Sequence, residues 1–143
     1  MNTQNPKEVK KQKENKEKQL TPKQLAEFKA DVKRAELLAD LLDDKMIDPI
    51  AGLFPGAGDT ATALAGLYII YQAKKMDMPY HKLAVMAGRQ ALDFGGGTIP
   101  IIGDLFDFVY KSNKANAEML RKHFEKIEKE QSQNQLGKLK KDL

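Results

Sequence analysis

Apolar residues return every three or four positions along four stretches of the chain, and glycine, proline or aspartate closes each of the first three. The first stretch opens at Thr21-Pro22-Lys23-Gln24, which reads as an N-cap, a proline at the first helical position and a Gln able to complete a capping box. Leu25, Phe28, Val32, Ala35, Leu38, Leu41 and Leu42 follow on one face, and Asp48-Pro49 sets an end near Met46. The second predicted helix starts at Asp59 as its cap and runs to Lys75, with Lys74 and Lys75 suiting the negative end of the dipole. From Ala61 to Ala73 it is apolar around nearly its whole circumference, which marks the most buried helix or one touching lipid. Asp77-Met78-Pro79 makes a turn. The third helix is predicted over Tyr80 to Leu92, with Leu83, Met86, Ala87 and Ala91 on one face. The fourth opens at Asp104 and runs to about Glu130, with Leu105, Phe108, Val109, Ser112, Ala115, Met119, Leu120, Phe124 and Ile127 as its stripe. No stretch alternates long enough for a strand, so the fold class is all-α, with about four helices.

The breaks between these helices carry a repeat. Asp48-Pro-Ile-Ala-Gly52-Leu-Phe-Pro55-Gly-Ala-Gly58-Asp59 is matched without a gap by Asp93-Phe-Gly-Gly-Gly97-Thr-Ile-Pro100-Ile-Ile-Gly103-Asp104. Both obey D-x3-G-x2-P-x2-G-D, and each lies between two predicted helices. An internal duplication follows: two helix–loop–helix units related by a pseudo-two-fold. Gly52 and Gly97 permit positive φ or a close backbone approach, and Pro55 and Pro100 fix an extended or turn segment. Gly58 and Gly103 allow a tight approach to the helix that Asp59 and Asp104 then cap. Leu53, Phe54 and Ile99 are apolar within the loops, so the loops are expected to pack inward and against each other. Asp48 and Asp93 end the preceding helices, where the dipole disfavours them. Each needs a partner: loop N–H groups, a basic side chain such as Arg89, or a cation.

The run Asp48 to Asp59, the string Gly103-Asp104-Leu105-Phe106-Asp107 and Lys111-Ser-Asn113-Lys-Ala-Asn116 together resemble the family named domain of unknown function 4112. The resemblance covers roughly Leu38 to Phe124. It implies a fold and no established activity, and it draws Asp107, Asn113 and Asn116 into a candidate polar site with Asp48, Asp93 and Arg89. The family often shows an Arg-Met-x-x-Asn run before the second Asp. Here the run is Val85-Met86-Ala87-Gly88-Arg89, so Arg89 stands where the Asn would fall.

Charge divides the chain in three. Residues 1–34 carry a net +5, residues 35–110 a net −5, and residues 111–143 a net +4. Residues 1–20 hold too little apolar surface to offset their ordering entropy and are expected to form a disordered basic tail. Residues 131–143, with only Leu136, Leu139 and Leu143, are expected to form a second flexible basic tail, leaving residues 21–130 as the helical repeat domain. Basic ends suit anionic surfaces such as lipid headgroups. They equally serve as solvated ends, since Lys alternates with Glu and Gln. Aromatic and glycine residues do not punctuate them as in an RNA-binding segment, and no specific nucleic acid is expected. With no cysteine and no apolar leader after Met1, a reducing, cytoplasmic setting is the expectation, with or without membrane association.

Several chemistries fit poorly. A phosphate cradle is opposed by Asp59 and Asp104, which place negative charge where the anion would sit, and no Gly-Lys-Ser/Thr follows Gly58. No cofactor is indicated. His81 and His123 are isolated, and Ser112 and Ser132 lack a nucleophile-elbow context. Paired loop aspartates leave two alternatives open, a carboxylate hydrolase and a divalent-cation site built on Asp48 and Asp93. The favoured expectation is a non-enzymatic interaction or scaffold protein. It would bind a protein partner or a second copy through Ala61–Tyr71, or lie on an anionic membrane surface. The uncharged part of the second helix is too short to span a bilayer, so a membrane form would be peripheral or re-entrant.

Overall fold

The computed structural model describes Lys7 and residues 19–42, 57–95 and 112–141, the side chains of 57–59 and 93–95 excepted. The loop aspartates Asp48, Asp104 and Asp107, the glycines Gly52, Gly97 and Gly103, and Pro55 and Pro100 therefore lie outside the described residues. So do the side chains of Gly58, Asp59 and Asp93, and with them the predicted packing of the two loops. Four helices and no strand occur among the described residues: α1 (Pro22–Asp40), α2 (Ala57–Lys75), α3 (Tyr80–Gly95) and α4 (Ser112–Lys141).

Helix α1 begins as its sequence dictates. Thr21 is extended, its Oγ1 accepts from the Gln24 amide at 3.2 Å, and Gln24 Oε1 accepts from the Thr21 amide at 2.9 Å. Two backbone donors that a bare helix end leaves orphaned are thus satisfied reciprocally. Phe28, Val32 and Ala35 are buried, with Ala39 and Asp31 beside them, and Leu41 and Leu42 continue in a widened, π-type turn. The predicted end near Met46 falls outside the described residues.

Helix α2 starts at Ala57, two residues before the predicted start. Asp59 is therefore the third residue of the helix and not its cap, still a favourable place for a carboxylate against the positive dipole end. Its other end is a Schellman motif. The Asp77 amide donates to the Lys74 carbonyl and the Met78 amide to the Ala73 carbonyl, both at 3.0 Å, and Asp77 takes a left-handed φ of 54°. Buried Met78 supplies the apolar contact that usually accompanies this stop.

Helix α3 reaches Gly95, three residues past the predicted Leu92, which places Asp93 inside its last turn. Its inward face also differs from prediction. Met86 and Gln90 are buried with Leu83 half-buried, whereas Ala87 and Ala91 are exposed. The reason is that α3 meets its neighbours through Met86, whose carbonyl accepts from Asn116, and Gln90, which lies against Gly66, so that Met86 is its one fully buried apolar side chain. Helix α4 runs to Lys141 and not to Glu130, so residues 131–141 are helical where a flexible tail was expected. Gln, Lys and Leu make up eight of these eleven residues and are good helix formers, no proline interrupts them, and Gln131 Nε2 donates to the Leu20 carbonyl at 2.7 Å. The predicted opening at Asp104 lies outside the described residues.

Phe28, Val32, Ala35 and Ala39 of α1, Ile69, Ala73 and Met76 of α2, and Ala117, Leu120 and Phe124 of α4 form one core with Met78 and Met86. Helix α1 lies antiparallel to α4, ion pairs joining Asp40 to Lys114 at 3.4 Å and Glu36 to Arg121 at 3.3 Å. Helices α2 and α4 run the same way, since Thr62 meets Asn113 at one end and Met76 meets His123 at the other.

Candidate functional site

Two features stand out against this frame: a polar junction buried where α2, α3 and α4 meet, and an apolar face left open on α2 and α3.

The junction begins with the spacing of Ser112, Asn113 and Asn116 in the first turns of α4, which puts all three on the inward side with Ala117 and Leu120. All three are buried almost completely. Asn116 Nδ2 donates to the Met86 carbonyl of α3 at 3.1 Å, and Arg89 Nη1 donates to Asn116 Oδ1 at 3.4 Å. Asn113 Nδ2 donates to the Thr62 carbonyl of α2 at 3.3 Å, while its Oδ1 has no hydrogen-bond partner. Arg89 also reaches Met119 Sδ at 3.4 Å. One turn from Thr62, Gly66 faces Gln90 of α3 so closely that a Cβ there would sit 2.1 Å from the Gln90 amide carbon. Gly66 thus lets the Gln90 amide lie against the α2 backbone, and a Cβ there would push that amide aside.

Of the residues singled out in the sequence for a polar site, Arg89, Asn113 and Asn116 are gathered at this junction. The other three, Asp48, Asp93 and Asp107, have side chains outside the description. Asn113 and Asn116 each donate to a backbone carbonyl of a neighbouring helix, and Arg89 donates to Asn116, so the amides tie α4 to both α2 and α3. Among the described residues no group of three or more His, Cys, Asp or Glu comes together as a metal site would require.

Sequence reasoning missed Asp31. It is buried on α1 and held between Arg34 Nη1 at 2.9 Å and Lys75 Nζ of α2 at 3.0 Å. That hydrogen bond, with the attraction of the carboxylate, raises the Lys75 pKa above the usual lysine value despite some desolvation. Lys75 also stands 5.6 Å from the centre of the Phe28 ring. The signal was present: Asp31 lies on the face set by Phe28, Val32 and Ala35, one turn before Arg34. His123 is a packing residue, its Nε2–H donating to the Met76 carbonyl at 2.8 Å, and His81 is exposed.

The open face belongs to the helix that looked apolar all round. Ala65, Ile69, Ala73 and Met76 of α2 turn inward, while Leu64, Leu67 and Tyr71 are 62%, 60% and 63% exposed. They sit at i, i+3 and i+7, one stripe along the outer side. The other arm of the hairpin, α3, exposes Ala84, Val85, Ala87, Gly88, Ala91 and Leu92 with no charged residue among them. At the hairpin apex the exposed side chains change to Lys74, Asp77, Tyr80 and His81. No described helix is long and apolar enough to cross a membrane.

A family match covers residues 28–124, domain of unknown function (DUF4112). The chain belongs to this family. The match takes in the described parts of α2 and α3 entirely and ends at Phe124, the last core residue of α4. The junction residues Arg89, Asn113 and Asn116 thus fall within the DUF4112 region, and the helical extension beyond Phe124 falls outside it. No curated protein and no solved structure matches the chain.

Proposed function

We propose that the protein works by association and not by catalysis, and that the outer face of the α2–α3 hairpin is the surface it docks with. One observation carries the reading: Leu64, Leu67 and Tyr71 stand exposed in a single stripe along α2, and α3, the other arm of the hairpin, also exposes an uncharged face. Isolated exposed apolar residues are ordinary, but large apolar side chains exposed in a stripe along a helix mark an interaction surface. The amide junction supports it from behind, because its hydrogen bonds tie α4 to α2 and to α3 and so hold both arms of the hairpin. The matched twelve-residue loops support a further reading of the domain as two helix–loop–helix units related by a pseudo-two-fold.

The chain has no cysteine, so Leu67→Cys can be labelled uniquely with a polarity-sensitive dye. The expected result is water-like emission from dilute protein in buffer, shifting to the blue when protein concentration is raised or vesicles are added. Emission that stays water-like under every condition would refute the reading. Emission already blue-shifted at nanomolar dilution would refute it too, because the face would then be covered by the chain itself.

A further inference from the structure

We infer that the occupant of this face is the surface of an anionic lipid bilayer; the inference rests on the docking reading above and names its partner. The argument is how charge and aromatic residues are distributed around the apolar stripe. Along α2 the outer side runs Leu64, Leu67, Tyr71 and then Lys74, passing from purely apolar to amphipathic to cationic within three turns. Across the apex, α3 repeats the order in reverse, with exposed Tyr80 and His81 and half-buried Lys82 before Val85 and Leu92. Tyr80 is 83% exposed, a large ring left mostly in solvent.

Tyrosine and lysine at the border of an apolar surface are the chemistry of the bilayer interface. The ring spans the boundary between acyl chains and headgroups, and the lysine stem runs along apolar surface while its ammonium reaches phosphate. A protein–protein docking face would more often enclose its aromatic anchors at the centre, inside a rim. Here the aromatics are at the rim. The cations stand free for this use in unequal measure. Lys75 is committed to Asp31, whereas Lys74 continues the stripe and Lys82 follows the apex on α3, with Asp77 the one exposed acidic residue between them in sequence. Neither helix is long and apolar enough to span, so the face would lie in the plane of the interface. Net +5 over residues 1–34 and +4 over residues 111–143 add attraction for the same surface.

The full chain is tested by flotation with vesicles of phosphatidylcholine alone and with about a third phosphatidylglycerol, beside Leu64→Asn/Leu67→Asn and Lys74→Gln/Lys82→Gln. Both variants keep the basic ends, so tail attraction alone cannot explain a difference. The expected result is flotation with the anionic vesicles only. Removing both leucines should weaken partition by roughly a hundredfold, from the apolar area withdrawn. Removing both lysines should weaken it by roughly 25-fold, at about fivefold per cation near an anionic surface. Equal binding to both vesicle types, or flotation untouched by the leucine pair, would overturn the lipid inference. So would a concentration-dependent dimer in light scattering that the leucine pair abolishes, although the docking reading would then stand. Absence of both flotation and self-association would overturn both. In plain buffer, a fall in melting temperature of more than about 15 °C in both the leucine pair and a Leu64→Ser/Leu67→Ser pair, more than the similar, lower helix propensities of asparagine and serine account for, would also overturn both, since the chain would then be covering its own face.

Discussion

Replacing Asn116 by alanine should be the most damaging single change in the polar junction. The side chain is fully buried and makes two contacts to α3: donation to the Met86 carbonyl at 3.1 Å and acceptance from Arg89 at 3.4 Å. The first is worth about 1 kcal/mol net, and the longer second about half that. The void left in a packed site adds about 1 kcal/mol, and the better helix propensity of alanine returns about 0.5 kcal/mol. The net loss is about 2 kcal/mol, or roughly 8–16 °C in Tm for a domain of about a hundred residues. Asn113→Ala is the control. It loses one bond of 3.3 Å but also removes the unpartnered Oδ1, so its cost is expected near 0.5 kcal/mol. Urea unfolding followed by circular dichroism at 222 nm gives both values, provided m is unchanged. Arg89→Ala should cost less in the Asn116→Ala background than in the native chain, because the pair is already broken. If Asn116→Ala lies within 0.5 kcal/mol of the native protein, or Asn113→Ala costs more, the junction does not lock the helices as described.

Gly66→Ala should destabilise the native protein, because its Cβ would meet the Gln90 amide at 2.1 Å, yet stabilise a Gln90→Ala background by about 1 kcal/mol through helix propensity; stabilisation in both backgrounds would remove the close-approach argument. Asp77→Gly should raise stability by about 0.5–1 kcal/mol in thermal melts, since Asp77 holds a left-handed φ of 54° that glycine adopts freely. The Lys75 pKa is raised in the folded state, so its contribution is fully present below the ordinary lysine value and lost as pH rises through the folded one. The melting temperature should therefore fall more steeply above about pH 10.4 in the native protein than in Asp31→Asn; parallel profiles would contradict the pairing. Glu118 is shifted the other way by Lys122, and Glu118→Gln should change only the acid limb of that profile.

The parts legible in the sequence were those governed by local rules. The Thr21/Gln24 box, the Phe28–Val32–Ala35 stripe, the Asp77-Met78-Pro79 stop and the all-helical class follow from contacts three or four residues apart. The misreadings came where tertiary packing chooses. Periodicity could not say which side of a uniformly apolar α2 is left open, because every side looked suitable for burial. On α3 it favoured Ala87 and Ala91 over Gln90, whose burial depends on Gly66 of another helix. Asn113 and Asn116 were visible as polar residues in a family pattern, but their partners are the backbone carbonyls of Thr62 and Met86, which no side-chain pattern reveals. The extension of α4 to Lys141 was hidden by its lack of an apolar stripe and by Asn134 and Gly137, although Gln, Lys and Leu favour helix over the rest of it.

The chain contains no tryptophan, so Leu67→Trp places a single reporter at the centre of the exposed stripe. Its fluorescence, measured on anionic vesicles carrying brominated acyl chains, tests the docking face and its lipid partner together. The account predicts a blue-shifted emission quenched by bromine near the headgroup end of the chains, with no quenching in Lys138→Trp on the far part of α4. Water-like, unquenched emission at position 67 with the protein bound to the vesicles would contradict it.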